Sequence, residues 1–290
     1  MASKYLAEDG LGPSAKLNHW MPGISPTPVQ VVLFDASSSH RLIQGNMKNT
    51  LIGWCDHTIN FWRGCNRVSE GCRHCYIQRR NKDPFHGPVR TTQATWRQAA
   101  IWDREAVTHG TRPRVFTCSL SDFFHPTADP WRKEAWALIR KCGNLDWLIL
   151  TKRSDRIAKS LPEDWGAGWD HVWLGVTVES QEWVSRVADL LVVPAKTRFV
   201  SAEPLLGPVD LRPYMARLNW VIAGCERAAK DKRRPMNIDW VRDLRHQCDK
   251  KEKAFFFKQY YVGTGLYYDG ILDGEVRQDW PVVQLSEETR

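Results

Sequence analysis

No apolar run in this chain approaches the eighteen or so residues that a membrane-crossing helix needs. The first residues, MASKYLAEDG, lack the basic start and apolar stretch of a secretory leader. No internal repeat and no low-complexity tract occurs. A cytoplasmic protein with no membrane partner is therefore expected. In a reducing compartment structural disulfides are disfavoured, so the eight cysteines are left to metals or to chemistry. With 42% hydrophobic and 26% charged residues over 290 positions the composition is globular. The length suits one large α/β domain or two modest ones and can bury a core without covalent staples.

The net charge is +8, and it is unevenly spread. Residues 226–258 hold eleven Lys and Arg against six Asp and Glu, which places five of the eight net charges there. Such a patch draws in polyphosphate backbones, although a merely soluble basic surface has the same composition.

Residues 1–50, with GLGPS, MPGISPTP and DASSSH, are rich in Gly, Pro and Ser and read as an N-terminal extension, in which VQVVLF could form one strand. From residue 114 onward, short β-branched and aromatic runs alternate with helical periodicity, the pattern of βα units around a parallel sheet. Strands are expected at 114–122, 146–153, 171–180, 197–204, 219–227 and 253–261, with another at TINFW (58–62). Helices are expected in DPWRKEAWALIRKCG, where Trp131, Ala135, Leu138 and Ile139 share a face, and in NIDWVRDLRHQCDKK, where Ile238, Val241, Leu244 and Cys248 do. Seven such units predict a partial or complete (β/α) TIM-like barrel over 51–265, followed by a C-terminal tail at 266–290. Each strand begins apolar and ends in polar side chains, so these ends are expected to converge on one rim.

RGCNRVSEGCRHCY, residues 63–76, sets Cys65, Cys72 and Cys75 in one loop. A structural zinc would need a fourth ligand, Cys55 or His74, and Cys55 with Cys65 makes a poorly spaced second knuckle. Three thiolates can instead hold a cube of four irons and leave one iron open. Both readings stand on the residues alone.

The chain resembles the radical S-adenosylmethionine superfamily, and more closely a phage-associated family with an altered three-cysteine motif. The resemblance rests on WCDHTINFWRGCNRVSEGCRHCY (54–76), RVFTCSLSDFFH (114–125), LTKR (150–153), VWLGVTVES (172–180), RFVSAEPLLGPVDL (198–211), WVIAGCE (220–226), RPMNIDWVRDLRHQC (234–248) and FFFKQ (255–259). Two features depart from the usual pattern. The first cysteine gap is six residues and His74 stands where an aromatic residue is common; and GCERAAKDKRRP replaces a Gly-Gly-Glu-Ser-Gly-like turn.

The resemblance implies a 4Fe-4S cluster on Cys65, Cys72 and Cys75 and a bound S-adenosylmethionine, cleaved to a 5′-deoxyadenosyl radical with an electron from a donor such as flavodoxin or ferredoxin. It implies that Ser119, Ser121 and Asp122 meet the cofactor's amino group or ribose, and that Lys152 and Arg153 neutralise the cofactor's carboxylate or a substrate anion. His74, Thr151, Thr177, Glu179 and Ser201 are also expected around the cofactor. Glu203 and Lys258 are expected as catalytic groups, with Cys118 and Cys225 as hydrogen-atom donors. Arg227, Lys230, Lys232, Arg233 and Arg234 are expected to hold DNA. Similar phage enzymes remodel hypermodified thymines, so the implied reaction is isomerisation of an amino-acid-modified thymine in DNA, in the cytoplasm of an infected bacterial host. A zinc-stabilised nucleic-acid-binding protein without radical chemistry is the alternative.

Overall fold

The alternation seen in the sequence becomes a nine-stranded sheet in the computed structural model, which describes residues 47–77 and 87–282. Strands β1 (Met47–Lys48), β2 (His57–Ile59), β3 (Trp62–Arg63) and β4 (Val89–Arg90) precede helix α1 (Gln93–His109). Then follow β5 (Arg114–Thr117), α2 (Asp129–Lys141), β6 (Asp146–Thr151), β7 (Val172–Thr177), α3 (Ser185–Val192), β8 (Thr197–Ala202), β9 (Trp220–Gly224), α4 (Ile238–Asp249) and β10 (Ala254–Val262). Strands β11 (Gly265–Tyr267), β12 (Ile271–Leu272) and β13 (Glu275–Val276) complete the described order. The expected extension at 1–50 lies outside the described residues except for 47–50.

Strands β2, β5, β6, β7, β8, β9 and β10 are neighbours in that order and parallel. Of the two barrel forms expected, the complete one is not found: the sheet ends at β1 and β11 without closing. The reason lies in the edges. β1 pairs antiparallel with β2, and β10 turns back at Gly263 (φ +56) to pair antiparallel with β11, so the outer hydrogen-bonding edges of β2 and β10 are used locally. The β6–β7 and β8–β9 connections carry only 3-10 turns among the described residues. Pro162 and left-handed Gly166 and Gly168 break any helix in the first of these.

Successive strand residues point to opposite faces, and the two faces build two cores. The outer one packs Val115, Trp147, Ile149, Val172, Leu174, Val176, Val200, Val221, Phe255 and Phe257 against the helices. The expected helix faces dock there. Ala135 and Ile139 of α2 and Val241, Leu244 and Cys248 of α4 are fully buried, with Trp131, Leu138 and Ile238 at the margin. The inner core gathers Trp54, Phe116, Leu148, Trp173, Phe199, Trp220 and Phe256 near the strand starts. Its floor is sealed by Trp280, packed on Phe256, and by Asp279, whose carbonyl accepts the Trp220 indole N–H. Aromatic rings plug one end, and the polar strand ends gather at the other. No helix among the described residues is long and apolar enough to cross a membrane.

Candidate functional site

The loop carrying Cys65, Cys72 and Cys75 leaves the β2 end and lies over the rim formed by the other strand ends. Cys72 is buried, and Cys65 and Cys75 are half-buried. Three charged side chains, from the ends of β6, β7 and β9, hold it down.

The first is Arg153, after β6. Its guanidinium donates to the Cys65 Sγ at 3.6 Å and to the Asn66 carbonyl at 3.2 Å, and pairs with Asp122 at 3.3 Å. His125 secures the same point: its Nδ1 accepts the Thr127 backbone N–H, so the proton lies on Nε2, 2.7 Å from the Asn66 Oδ1. Burial, with Arg153 nearby, lowers the His125 pKa to about 4, which keeps the ring neutral. Burial, then the Asp122 charge, pushes the Cys65 thiol up to about 12, partly offset by Arg153.

The second is Glu179, after β7 and fully buried. It accepts from Ser69 Oγ at 2.5 Å and from Arg186 at 2.7 Å, and pairs with Lys152 at 3.3 Å. Burial alone would raise its pKa; the Lys152 and Arg186 charges and the Ser69 hydroxyl outweigh it and hold the carboxyl below its ordinary value. Gly71 lies flat against this carboxylate, where a Cβ would come within 2.3 Å of Oε1. The Ser69 Oγ also stands 3.8 Å from the Cys72 Sγ.

The third is Glu226, after β9 and 4% exposed. It takes the His74 Nδ1 at 3.1 Å and both the backbone and guanidinium of Arg234. Arg234 in turn donates to the Glu70 carbonyl at 3.1 Å. Burial pushes the Glu226 carboxyl up, but the Arg234 and His74 hydrogen bonds hold it low.

Most residues expected around the cofactor turn out to be built into this anchorage. Asp122 receives Thr151 Oγ1 at 2.7 Å, the Phe124 N–H at 2.9 Å and the Lys152 N–H at 3.0 Å besides Arg153. The Ser121 hydroxyl donates to the Gly64 carbonyl, and the Ser119 carbonyl accepts the Tyr76 hydroxyl. Thr177 is buried, its carbonyl taken by Arg186 at 2.8 Å.

A second group lies on the inner face. Ser201 and Glu203 alternate with inner-core Phe199, and Lys258 follows inner-core Phe256. Lys258 is the extra residue of a bulge, since Phe257 pairs with Ala223 and Gln259 with Gly224. Its Nζ reaches both Glu203 oxygens at 2.6 and 2.7 Å, and Gln259 bonds Glu203 and the Cys225 carbonyl. Burial and the Glu203 charge raise the Cys225 thiol to about 12, so it stays protonated beside the pair. The Ser201 hydroxyl is buried with no hydrogen-bond partner among the described residues. Cys118 is not brought to this group. Its φ of +56 turns it into the outer core with Phe61 and Phe123.

Of the five expected nucleic-acid contacts, Arg227, Lys230 and Lys232 are exposed. Arg233 stacks on Tyr261 at 3.7 Å and donates to the Gly263 carbonyl, and Arg234 is committed to Glu226 and Glu70.

The donor set bears on which group the thiols suit. Cys55, the fourth ligand of the zinc alternative, lies in the inner aromatic core, and His74 turns its Nδ1 to Glu226. Among the described residues no three His, Cys, Asp or Glu converge on one ion. With a guanidinium directed at the Cys65 sulfur, the three thiols of the loop are donors of the kind a cubane takes at separate corners.

Residues 49–268 match the family model described as "Protein of unknown function (DUF5131)". No relative is found among the curated proteins. Two solved structures of spore photoproduct lyase are similar. One, a double mutant with bound AdoMet and dinucleoside spore photoproduct, is 13% identical over 74% of this chain and 68% of that chain, with a TM-score of 0.40. The other, complexed with dinucleoside spore photoproduct, is 14% identical over 79% and 72%, with a TM-score of 0.44.

Proposed function

The chain belongs to the DUF5131 family, and we propose that it works as a radical S-adenosylmethionine enzyme whose Cys65, Cys72 and Cys75 hold a 4Fe-4S cluster. The observation that carries this reading is the anchored loop. Three thiols in one loop are fastened over the polar rim of a parallel sheet by Arg153, Glu179 and Glu226. When bound, the cluster and S-adenosylmethionine supply a carbon radical able to take hydrogen from an unreactive C–H bond.

The chain's own residues prepare the place for that chemistry. Arg153 orients the Cys65 sulfur, Glu179 holds the loop through Ser69, and Glu226 holds it through His74. Lys258 and Glu203 form a charge pair at the mouth, where Ser201 leaves an uncommitted hydroxyl and Cys225 keeps its thiol hydrogen. The aromatic floor of Trp54, Trp173, Trp220 and Phe256 closes the opposite end to water.

The substrate in this reading is an amino-acid-modified thymine in DNA, isomerised at the group attached to its 5-methylene carbon, with flavodoxin or ferredoxin as electron donor. Exposed Arg227, Lys230 and Lys232 beside the rim support an anionic polymer, and a base would leave the stack to reach the mouth.

Anaerobic purification followed by an absorption spectrum and an iron count tests the cluster. Brown protein with about four irons per chain is expected, with Cys72→Ala losing both colour and reductive cleavage of S-adenosylmethionine. Colourless, iron-poor protein filled with zinc overturns the reading.

A further inference from the structure

Between the cysteine loop and the loop after β9 lies a cleft of about 510 Å³ lined by Arg67, Arg73, His74, Ala228, Ala229 and Lys232. One wall belongs to the cysteine motif, the other to the basic segment. No carboxylate among the described residues lines it. The two segments, residues 63–76 and 226–234, together carry eight Lys and Arg against three Asp and Glu, a net charge of +5.

How those charges are used separates structural cations from available ones. Arg234 is spent on Glu226 and Glu70, and Arg233 on Tyr261 and Gly263. Arg67 and Lys232 are exposed and have no ion-pair partner among the described residues. Among the described residues Arg73 pairs only with Glu70, at 3.1 Å with both side chains 60% exposed, and such a pair holds a guanidinium too weakly to keep it from a stronger anion. Beneath the cleft, Glu226 ties the two walls together through His74 and Arg234, so the cationic side chains project from a braced base. Ala228 and Ala229 leave the far wall low, giving a ligand close access.

We infer that this cleft is a phosphate-binding site that takes the sugar-phosphate backbone of a nucleic-acid strand, with Arg67, Arg73 and Lys232 as its contacts. Three cations around a concave surface match phosphate oxygens, Arg67 and Arg73 by their forked N–H groups and Lys232 as a point charge. The cleft shares its wall with the thiols, so a strand seated in it lies beside the cysteine loop. The site enlarges the expected set by two arginines inside the cysteine motif and removes Arg233 and Arg234 from direct phosphate contact. It rests on the nucleic-acid part of the proposed function and is independent of the radical chemistry.

The test is fluorescence anisotropy of a labelled single-stranded DNA oligonucleotide with anaerobically purified full-length protein over a series of salt concentrations, comparing wild type with Arg67→Ala, Arg73→Ala and Lys232→Ala. Lys251→Ala is the control, because Lys251 is exposed where α4 enters β10, at the opposite end of the sheet. Each cleft variant is expected to weaken binding by about fivefold at low salt and to flatten the slope of log K against log salt by about 0.7, with melting temperature and iron content unchanged. Cleft variants that bind like wild type, with the same slope, overturn the cleft and leave the nucleic-acid reading standing. A wild type that ignores the oligonucleotide at low salt overturns both. A calorimetric titration with inorganic phosphate that saturates the cleft while DNA does not bind overturns the polymer as occupant. Iron content and absorption report on the cluster separately in every arm.

Discussion

Ser69, three residues before the second thiol of the loop, donates its hydroxyl hydrogen to Glu179, 110 residues away at the end of β7, across 2.5 Å. The same carboxylate takes Arg186 and faces Lys152. One buried anion therefore serves two cations and fixes the middle of the cysteine loop.

Removing it leaves a buried guanidinium without its counter-charge. Glu179→Ala is expected to cost about 3–5 kcal/mol in urea unfolding and to lower iron incorporation. Glu179→Gln, which keeps the shape and an acceptor for Ser69, is expected to lose less. Wild-type stability in the alanine variant would contradict the role given to this residue.

Acid should loosen the same joint. Glu179 and Glu226 both titrate below the ordinary glutamate value in the folded chain. The folded state thus binds fewer protons than the unfolded one. The stability they contribute is present above the unfolded carboxylate range and is lost as pH falls through the folded values. Urea midpoints are expected to decline below about pH 5, and the Glu179→Gln, Glu226→Gln double variant to decline less steeply. Parallel acid limbs would refute this.

Two glycines report on different regions. At Gly175 a Cβ would meet the Phe199 ring at 2.4–2.5 Å, and that ring is fully buried in the inner core. Gly175→Ala is expected to cost about 1–3 kcal/mol, read as a lowered melting temperature. At Gly71 the obstacle is the Glu179 carboxylate at 2.3 Å. Gly71→Ala is expected to shift the loop and reduce iron occupancy, which an iron count measures.

The Lys258 and Glu203 side chains, 16% and 19% exposed, are each other's main partner. A double-mutant cycle with Lys258→Met and Glu203→Gln is expected to give a coupling energy of about 1–2 kcal/mol by chemical denaturation. Additive effects would show that the pair is not coupled.

Arg153 links Cys65, Asn66 and Asp122 with one planar group. Lysine cannot reproduce that fork. A donor to a ligating sulfur favours the more negative, reduced state. Arg153→Lys is therefore expected to lower the midpoint potential of the loaded protein, followed by redox titration with electron paramagnetic resonance. An unchanged potential would show that the contact does not tune the sulfur.

Much was legible in the residues because it is local. Short β-branched and aromatic runs and apolar helix faces located the seven parallel strands and the helices α2 and α4, and the polar residues after Thr117, Thr151, Thr177, Ala202 and Gly224 marked the rim. Spacing alone singled out the three thiols. What the tertiary structure decided is which polar group each of these meets. Glu179 and Asp122 could be read only as rim carboxylates; their partners Ser69 and Arg153 come from elsewhere in the chain, and nothing local pairs them. The aromatic-rich FFFKQ gives no sign that Lys258 forms a bulge, nor does TCSLSD that Cys118 turns outward at a positive φ. Arg67 and Arg73 read as ordinary loop charges until the β9 loop folds beside them. Periodicity is set by neighbours a few bonds apart, whereas a buried charge must find its partner across the fold, and desolvation selects that partner only when the chain is packed.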